Sequence, residues 1–255
     1  MELALLAVLA FFAGFVDAVV GGGGLIQVPA LFTVYPQTAP GVLFGTNKFS
    51  SIFGTAAATL RYARGVHMPW RMLVPAAAGA LIFSFLGARA VTMLPVEIIR
   101  PVVLVLLIAV AAYTLKKKHF GSIHVPRLKG TPEKWLGFAT GAALGFYDGF
   151  FGPGTGTFLI FILVRFFGYD FLNASASAKV INTATNLAAL VYFIPTGNIF
   201  WLAAAIMAVA NLSGSFTGSH LAIRHGVVFV RRLFLIVLAA IILKFGYDTA
   251  LILAA

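Results

Sequence analysis

The sequence predicts an all-α polytopic membrane protein: two repeated halves with broken helices and 8–10 transmembrane segments. Composition is the first observation behind this. Hydrophobic residues make up 61% of the 255-residue chain, charged residues only 10%, and the mean hydropathy is +1.00. A soluble domain of this size carries about a quarter charged residues, so this chain lacks the polar material to coat a water-facing surface. The second observation is an internal repeat. Residues 14–24 read GFVDAVVGGGG and residues 145–156 read GFYDGFFGPGTG, which sets Asp17 and Asp148 each four residues before a glycine-rich break. The step 148 − 17 = 131 also carries Lys48 to Lys179, Trp70 to Trp201, Gly87 to Gly218 and Arg100 to Arg231. An ungapped step held along both halves means duplication. The third observation is the breaks themselves. Gly21 to Gly24 make a poor helix interior, since each glycine costs about 1 kcal/mol relative to alanine. Gly152, Pro153, Gly154 and Gly156 interrupt the second half in the same place, and Pro153 also lacks a backbone donor.

Apolar stretches fall at 3–20, 25–34, 42–60, 72–94 and 98–115, then at 135–151, 155–168, 172–194, 199–222 and 232–254. A span needs about 20 residues at about 1.5 Å rise. Eight stretches approach that length. Stretches 25–34 and 155–168 are shorter, and each directly follows a glycine break. They read as broken helices or as hairpins dipping into the interior, because irregular backbone at membrane depth needs protein or a watery cavity around it. The expected organisation is a first repeat over 1–115, a basic cytoplasmic linker over 116–134 and a second repeat over 135–255.

Charge tests the topology. Arg61, Arg64 and Arg71 form one cluster, Lys116, Lys117, Lys118, Arg127, Lys129 and Lys134 a second, and Arg224, Arg231 and Arg232 a third. The first two lie two crossings apart and share a side, and the third joins them only if the short stretch after the second break returns across the membrane, which counts ten crossings with inverted halves and both termini outside. With eight crossings the halves are parallel and the third cluster faces out. The positive-inside rule favours ten. The net charge of +11 sits mostly between apolar stretches, so it sets topology and does not point to nucleic acid. Zero cysteines exclude disulfides and thiolate metal sites. The apolar start lacks a basic n-region and runs into the repeat, so no cleavable signal peptide is expected. There is no room for an ATP-binding domain. The histidines His67, His119, His124, His220 and His225 have no metal-ligand spacing, and no catalytic constellation or cofactor site is evident.

The candidate site lies at the breaks. Gly22, Gly23 and Gly24, and Gly154, Thr155 and Gly156, lead into short helices whose N-termini offer donors and a positive dipole end to an anion. Paired broken helices at corresponding places in two halves mark a transporter's binding site. Close helix packing by small residues is the rival reading. Lys48 and Lys179 lie early in apolar spans, with Thr46, Asn47, Asn182 and Asn186 as polar neighbours. A lysine at membrane depth costs about 2.5–3.5 kcal/mol, so it needs a partner or an aqueous path. Two of them make an electropositive pocket for an anion, or each neutralises Asp17 or Asp148 in a structural ion pair. The two acids read equally as a proton relay and as caps on the N–H groups freed by the breaks. Arg61–Tyr62, Trp70 and Trp201 read as interfacial anchors.

The strings GFVDAVVGGGGLIQVPAL, GTNKFSS, GFYDGFFGPGTGTFLIF, SAKVINTATN and KFGYD resemble, in order and over nearly the whole chain, the sulfite exporter TauE/SafE family (domain of unknown function 81), in its YfcA-like branch. The resemblance implies a secondary transporter of the bacterial inner membrane. It would move small sulfur-containing or carboxylate anions, such as sulfite or an organosulfonate. Export is the expectation, with proton coupling as an option. The expected partners are the anion and the lipid bilayer. An anion channel with the same positive centre is the main alternative. A membrane enzyme, a scaffold and a cation transporter fit the residues less well.

Overall fold

The computed structural model describes residues 2–91 and 121–254. The apolar stretch 98–115 and Lys116 to Lys118 lie outside the described residues. Eight α-helices are present among those described: α1 (Glu2–Val20), α2 (Gly24–Val34), α3 (Pro40–Gly65), α4 (Trp70–Val91), α5 (Thr131–Phe150), α6 (Thr155–Ile162), α7 (Phe171–Phe193) and α8 (Trp201–Ala254). A π-helical turn, Leu163–Phe167, prolongs α6. α1 and α4 are each long and apolar enough to cross a bilayer. The loop expected between 222 and 232 is absent. A single residue, Gly226, breaks α8 at φ 67°, ψ −158°, a conformation open to glycine alone without strain. Beyond the break Phe234 packs on Phe171, with ring centroids 5.1 Å apart.

Both short helices fold back. Gly23 lies against Ala13 of α1, and Leu31 of α2 shares a buried cluster with Leu6 and Ala10. α2 therefore returns toward the face where α1 begins. In the second half, the segment after α6 meets the residues leading into α5: Val125 N–H donates to Gly168 O at 2.9 Å, and Phe171 N–H to Gly121 O at 3.0 Å. Each half thus opens with a helical hairpin whose tip is a glycine break.

Helix directions follow from contacts. α1 and α8 run parallel, since Gly214 abuts Phe11 and Gly218 abuts Phe15. α4 and α5 also run parallel: Gly137, Gly141, Gly145 and Gly149 face Met72, Ala76, Ala80 and Ser84 in turn. A Cβ on Gly141 would stand 1.9 Å from Ala76 O, so only glycine allows this approach. Each pair joins the two halves, so neither half packs alone. The step-131 mates α3 and α7 cross antiparallel: Thr59 Oγ1 lies 3.1 Å from Thr183 Oγ1, and Asn186 Nδ2 lies 3.3 Å from Thr55 Oγ1. The halves are inverted, the arrangement that the charge pattern favours. Arg61, Arg64, Arg71, Lys134 and Arg165 fall near helix ends on one face, the basic face, and Arg224 joins them just before the Gly226 break of α8.

A cysteine pair tests the antiparallel crossing cleanly in a chain that has none of its own. Thr59→Cys/Thr183→Cys, with a protease site inserted in the 116–130 segment, is expected to keep the halves joined on a non-reducing gel after cleavage. Free migration of the halves under oxidising conditions would refute this register.

Candidate functional site

The two glycine breaks meet in the middle of the fold. Gly21 and Gly152, related by the step of 131, both have positive φ, 78° and 91°. Gly21 lies on Gly156, where a Cβ would stand 2.2 Å from the Gly156 carbonyl carbon. Thr157 Oγ1 donates to Val20 O at 3.2 Å, and Tyr147 Oη to Pro153 O at 2.6 Å, so carbonyls at the tips of both hairpins are tied down. On α1, Ser175 Oγ and Tyr62 Oη reach the terminal carbonyls of Ala18 and Val19. Tyr62 is therefore not an interfacial anchor. It is fully buried, and its hydroxyl donates to Ala18 O at 2.9 Å. Trp70 and Trp201 are exposed, in keeping with an anchor role.

The charged residues pair across the halves. Lys48 Nζ lies 2.6 Å from Asp148 Oδ2, and Lys179 Nζ lies 2.8 Å from Asp17 Oδ2. The step of 131 converts one pair into the other. Lys179 also donates to the Asp17 carbonyl at 2.6 Å, and Asp17 Oδ1 accepts the Gly23 N–H at 3.4 Å. Asp17 is thus ion-pair partner and cap at once. Both lysines are buried, at 3% and 0% exposure. An electropositive pocket was one expectation from the sequence. With each lysine held by a carboxylate, the four charges cancel at rest.

These pairs flank a cavity of about 30 Å³, room for about two water molecules. Asp17, Asp148, Lys48, Asn47, Asn182 and Asn186 line it, with Gly24, Thr155 and Gly156 from the breaks. Lys179 stands behind Asp17 and does not line it. Gly22, Gly23 and Gly154 do not line it either. Gly23 packs on α1, and Gly154 takes a left-handed turn ahead of α6. Thr46 is elsewhere: its hydroxyl donates to Val42 O and accepts from Phe200 N–H at 2.9 Å, at the start of α8. Two lining residues not singled out in the sequence are Ser51 and Thr55. They are the step-131 mates of Asn182 and Asn186, so the repeat itself points to them. On α3 and α7 alike, the lysine and its mates at +3 and +7 share one helix face.

The cavity retains unused polarity. Asn47 Oδ1 and Asn182 Oδ1 are buried without a hydrogen-bond partner among the described residues. A carboxamide turned about its last torsion presents two donors in place of that acceptor, so both side chains suit an anion. Thr55 and Asn186, mates that touch each other at 3.3 Å, put the pseudo-two-fold axis through the cavity wall. Among the described residues no cluster of potential metal ligands exists.

A family model described as "Sulfite exporter TauE/SafE" matches residues 6–245. The chain is 34% identical over 246 residues to a probable membrane transporter protein, ORF9, of a Sinorhizobium species, covering 96% of this chain and 93% of that protein. It is 31% identical over 248 residues to the probable membrane transporter protein YfcA of Escherichia coli K12, covering 97% and 90%. A probable membrane transporter protein of Haemophilus influenzae is 32% identical over 250 residues, covering 96% and 95%. No solved structure matches the chain. The chain belongs to the sulfite exporter TauE/SafE family, and it is a multi-pass plasma-membrane transporter, not an enzyme.

Proposed function

We propose that this transporter carries a small anion, sulfite or a related sulfur-containing or carboxylate anion, by alternating access about the central cavity. The observation that supports this best is the pair of symmetry-related lysine–carboxylate contacts crossing between the halves beside that cavity. An anion that displaces Asp148 from Lys48 finds a fixed cation, the Asn47 and Asn182 carboxamides, and backbone of both breaks within one shell. The remaining site residues, Lys179 and Asp17, take the same part when the halves exchange conformations about the axis. An organosulfonate with a carbon chain requires the halves to part first.

The family description favours export. An inside-negative potential drives a monoanion outward by about 2.3 kcal/mol per 100 mV. If Asp148 or Asp17 takes a proton as its lysine takes the anion, the moving charge is balanced. Flux then follows the pH gradient and ignores the potential. Reconstituted vesicles separate these modes. Uptake of radiolabelled sulfite, sulfate, sulfoacetate and a simple carboxylate is measured with a potential alone and with a pH gradient alone. Saturable flux of at least one anion is expected. Current that rises without saturation would instead identify an anion channel.

A further inference from the structure

We propose that the groove between α3 and α8 on the basic face binds an anionic phospholipid. Its cavity measures about 470 Å³, much larger than the central one, and lies away from the transport residues. Ala57, Leu60, Phe216 and Ile223 supply apolar walls, and Arg61 and Arg64 supply charge. Leu60 and Phe216 are 63% and 55% exposed, so the groove opens sideways toward the hydrocarbon.

Arg61 is held ready for a ligand. Its guanidinium carbon sits 4.2 Å above the Phe216 ring, and Nη2 lies 2.5 Å from His220 Nδ1. Its Nε is buried without a hydrogen-bond partner among the described residues. Neither Arg61 nor Arg64 pairs with a carboxylate among those residues. The charge is fixed in direction by an aromatic ring and an imidazole, yet it is not neutralised. Arginine forks suit phosphate oxygens, and basic pockets between membrane helices accept anionic headgroups. A phosphodiester at Arg61 and Arg64 leaves the acyl chains to run along Leu60 and Phe216.

The repeat supplies an internal comparison. The step of 131 turns Arg61 into Tyr192, Arg64 into Pro195 and Phe216 into Phe85 on the opposite face. There the ring pair Phe85–Tyr192 stands at 6.0 Å, and among the counterparts of Arg61, Arg64, Phe216 and His220 the cation is Arg89, which replaces His220. The aromatic floor is retained and the two α3 arginines are specific to the basic face. That difference is what an asymmetric bilayer contact asks for, whereas transport by inverted halves asks for none.

The test is lipid retention by native mass spectrometry after incubation of the full chain with equimolar phosphatidylglycerol and phosphatidylethanolamine. The wild type is expected to favour phosphatidylglycerol about thirty-fold, from two arginines near an anionic headgroup. Arg61→Gln/Arg64→Gln is expected to bring the ratio near unity. Arg71→Gln/Lys134→Gln, on the same face outside the groove, is expected to leave it unchanged. Equal retention of the two lipids by the wild type would overturn the proposal whatever the variants do. So would an equal loss in the Arg71/Lys134 variant, which would mean diffuse surface charge. Displacement of the lipid by soluble glycerol phosphate would overturn it too, by showing a site for a free anion.

Discussion

Lys48→Met is expected to abolish anion uptake and to destabilise the protein by about 3–5 kcal/mol, the cost of leaving one member of a buried ion pair alone. Asp148 is 5% exposed and its carboxylate lies 2.6 Å from Lys48 Nζ. The lost partner therefore cannot be replaced by bulk water without opening the cavity. Lys48→Met/Asp148→Leu is expected to regain most of that stability, because a buried pair exchanged for apolar side chains of similar volume is often neutral. Uptake is expected to stay lost, because the cavity has no cation left on α3. Thermal unfolding followed by fluorescence-detected size exclusion reads the first quantity, and vesicle uptake reads the second. Full uptake by the double variant would reduce the pair to a structural contact.

The symmetry-related experiment has an expected asymmetry. Lys179 binds the Asp17 carbonyl as well as its carboxylate, and Asp17 also takes the Gly23 N–H. Lys179→Met/Asp17→Leu therefore strands the Gly23 N–H, a backbone group that the Lys48 pair does not hold, while the Asp17 carbonyl keeps the Gly21 N–H at 2.9 Å. It is expected to remain about 1–3 kcal/mol less stable than Lys48→Met/Asp148→Leu, the range for an unsatisfied buried polar group.

Much of this site was legible because duplication writes it twice. One conspicuous acid before one glycine run proves little, but the step of 131 ties Asp17 to Asp148 and Lys48 to Lys179. Applied backwards from Asn182 and Asn186, the same step finds Ser51 and Thr55, which single hydroxyls in an apolar helix do not announce. The pairing partners were not legible. Asp17 is nearer Lys48 in sequence, and only the inverted packing hands it to Lys179. Thr46 and Tyr62 misled for a common reason. A polar group on a membrane helix suggests a ligand or an interface, while here each satisfies a backbone group at a neighbouring helix end. The glycines of α5 at 137, 141, 145 and 149 are visible as a ladder of four-residue steps, but what they face, α4 of the other half, is set by the fold.

Gly21→Ala is expected to be the most damaging single-methyl change at the breaks, costing about 2–5 kcal/mol and eliminating uptake. Two terms add. A left-handed backbone costs an L-residue roughly 1–2 kcal/mol, and Gly21 has φ 78°. Overpacking a tight contact costs about 1–3 kcal/mol more. Here the new methyl stands 2.2 Å from the Gly156 carbonyl carbon and 2.4 Å from its Cα, and backbone cannot swing aside as a side chain can. Gly197→Ala isolates the first term, since Gly197 has φ 70° and nothing within 4 Å of the added Cβ. Gly156→Ala isolates the second, meeting Gly21 Cα at 2.4 Å in an ordinary helical conformation. Loss of uptake in Gly156→Ala with normal uptake in Gly197→Ala would place the sensitivity at the contact between the breaks. If Gly21→Ala proved no worse than Gly197→Ala in either measurement, the two hairpin tips would not meet as closely as described. The cavity between the paired lysines and acids would then lose its wall.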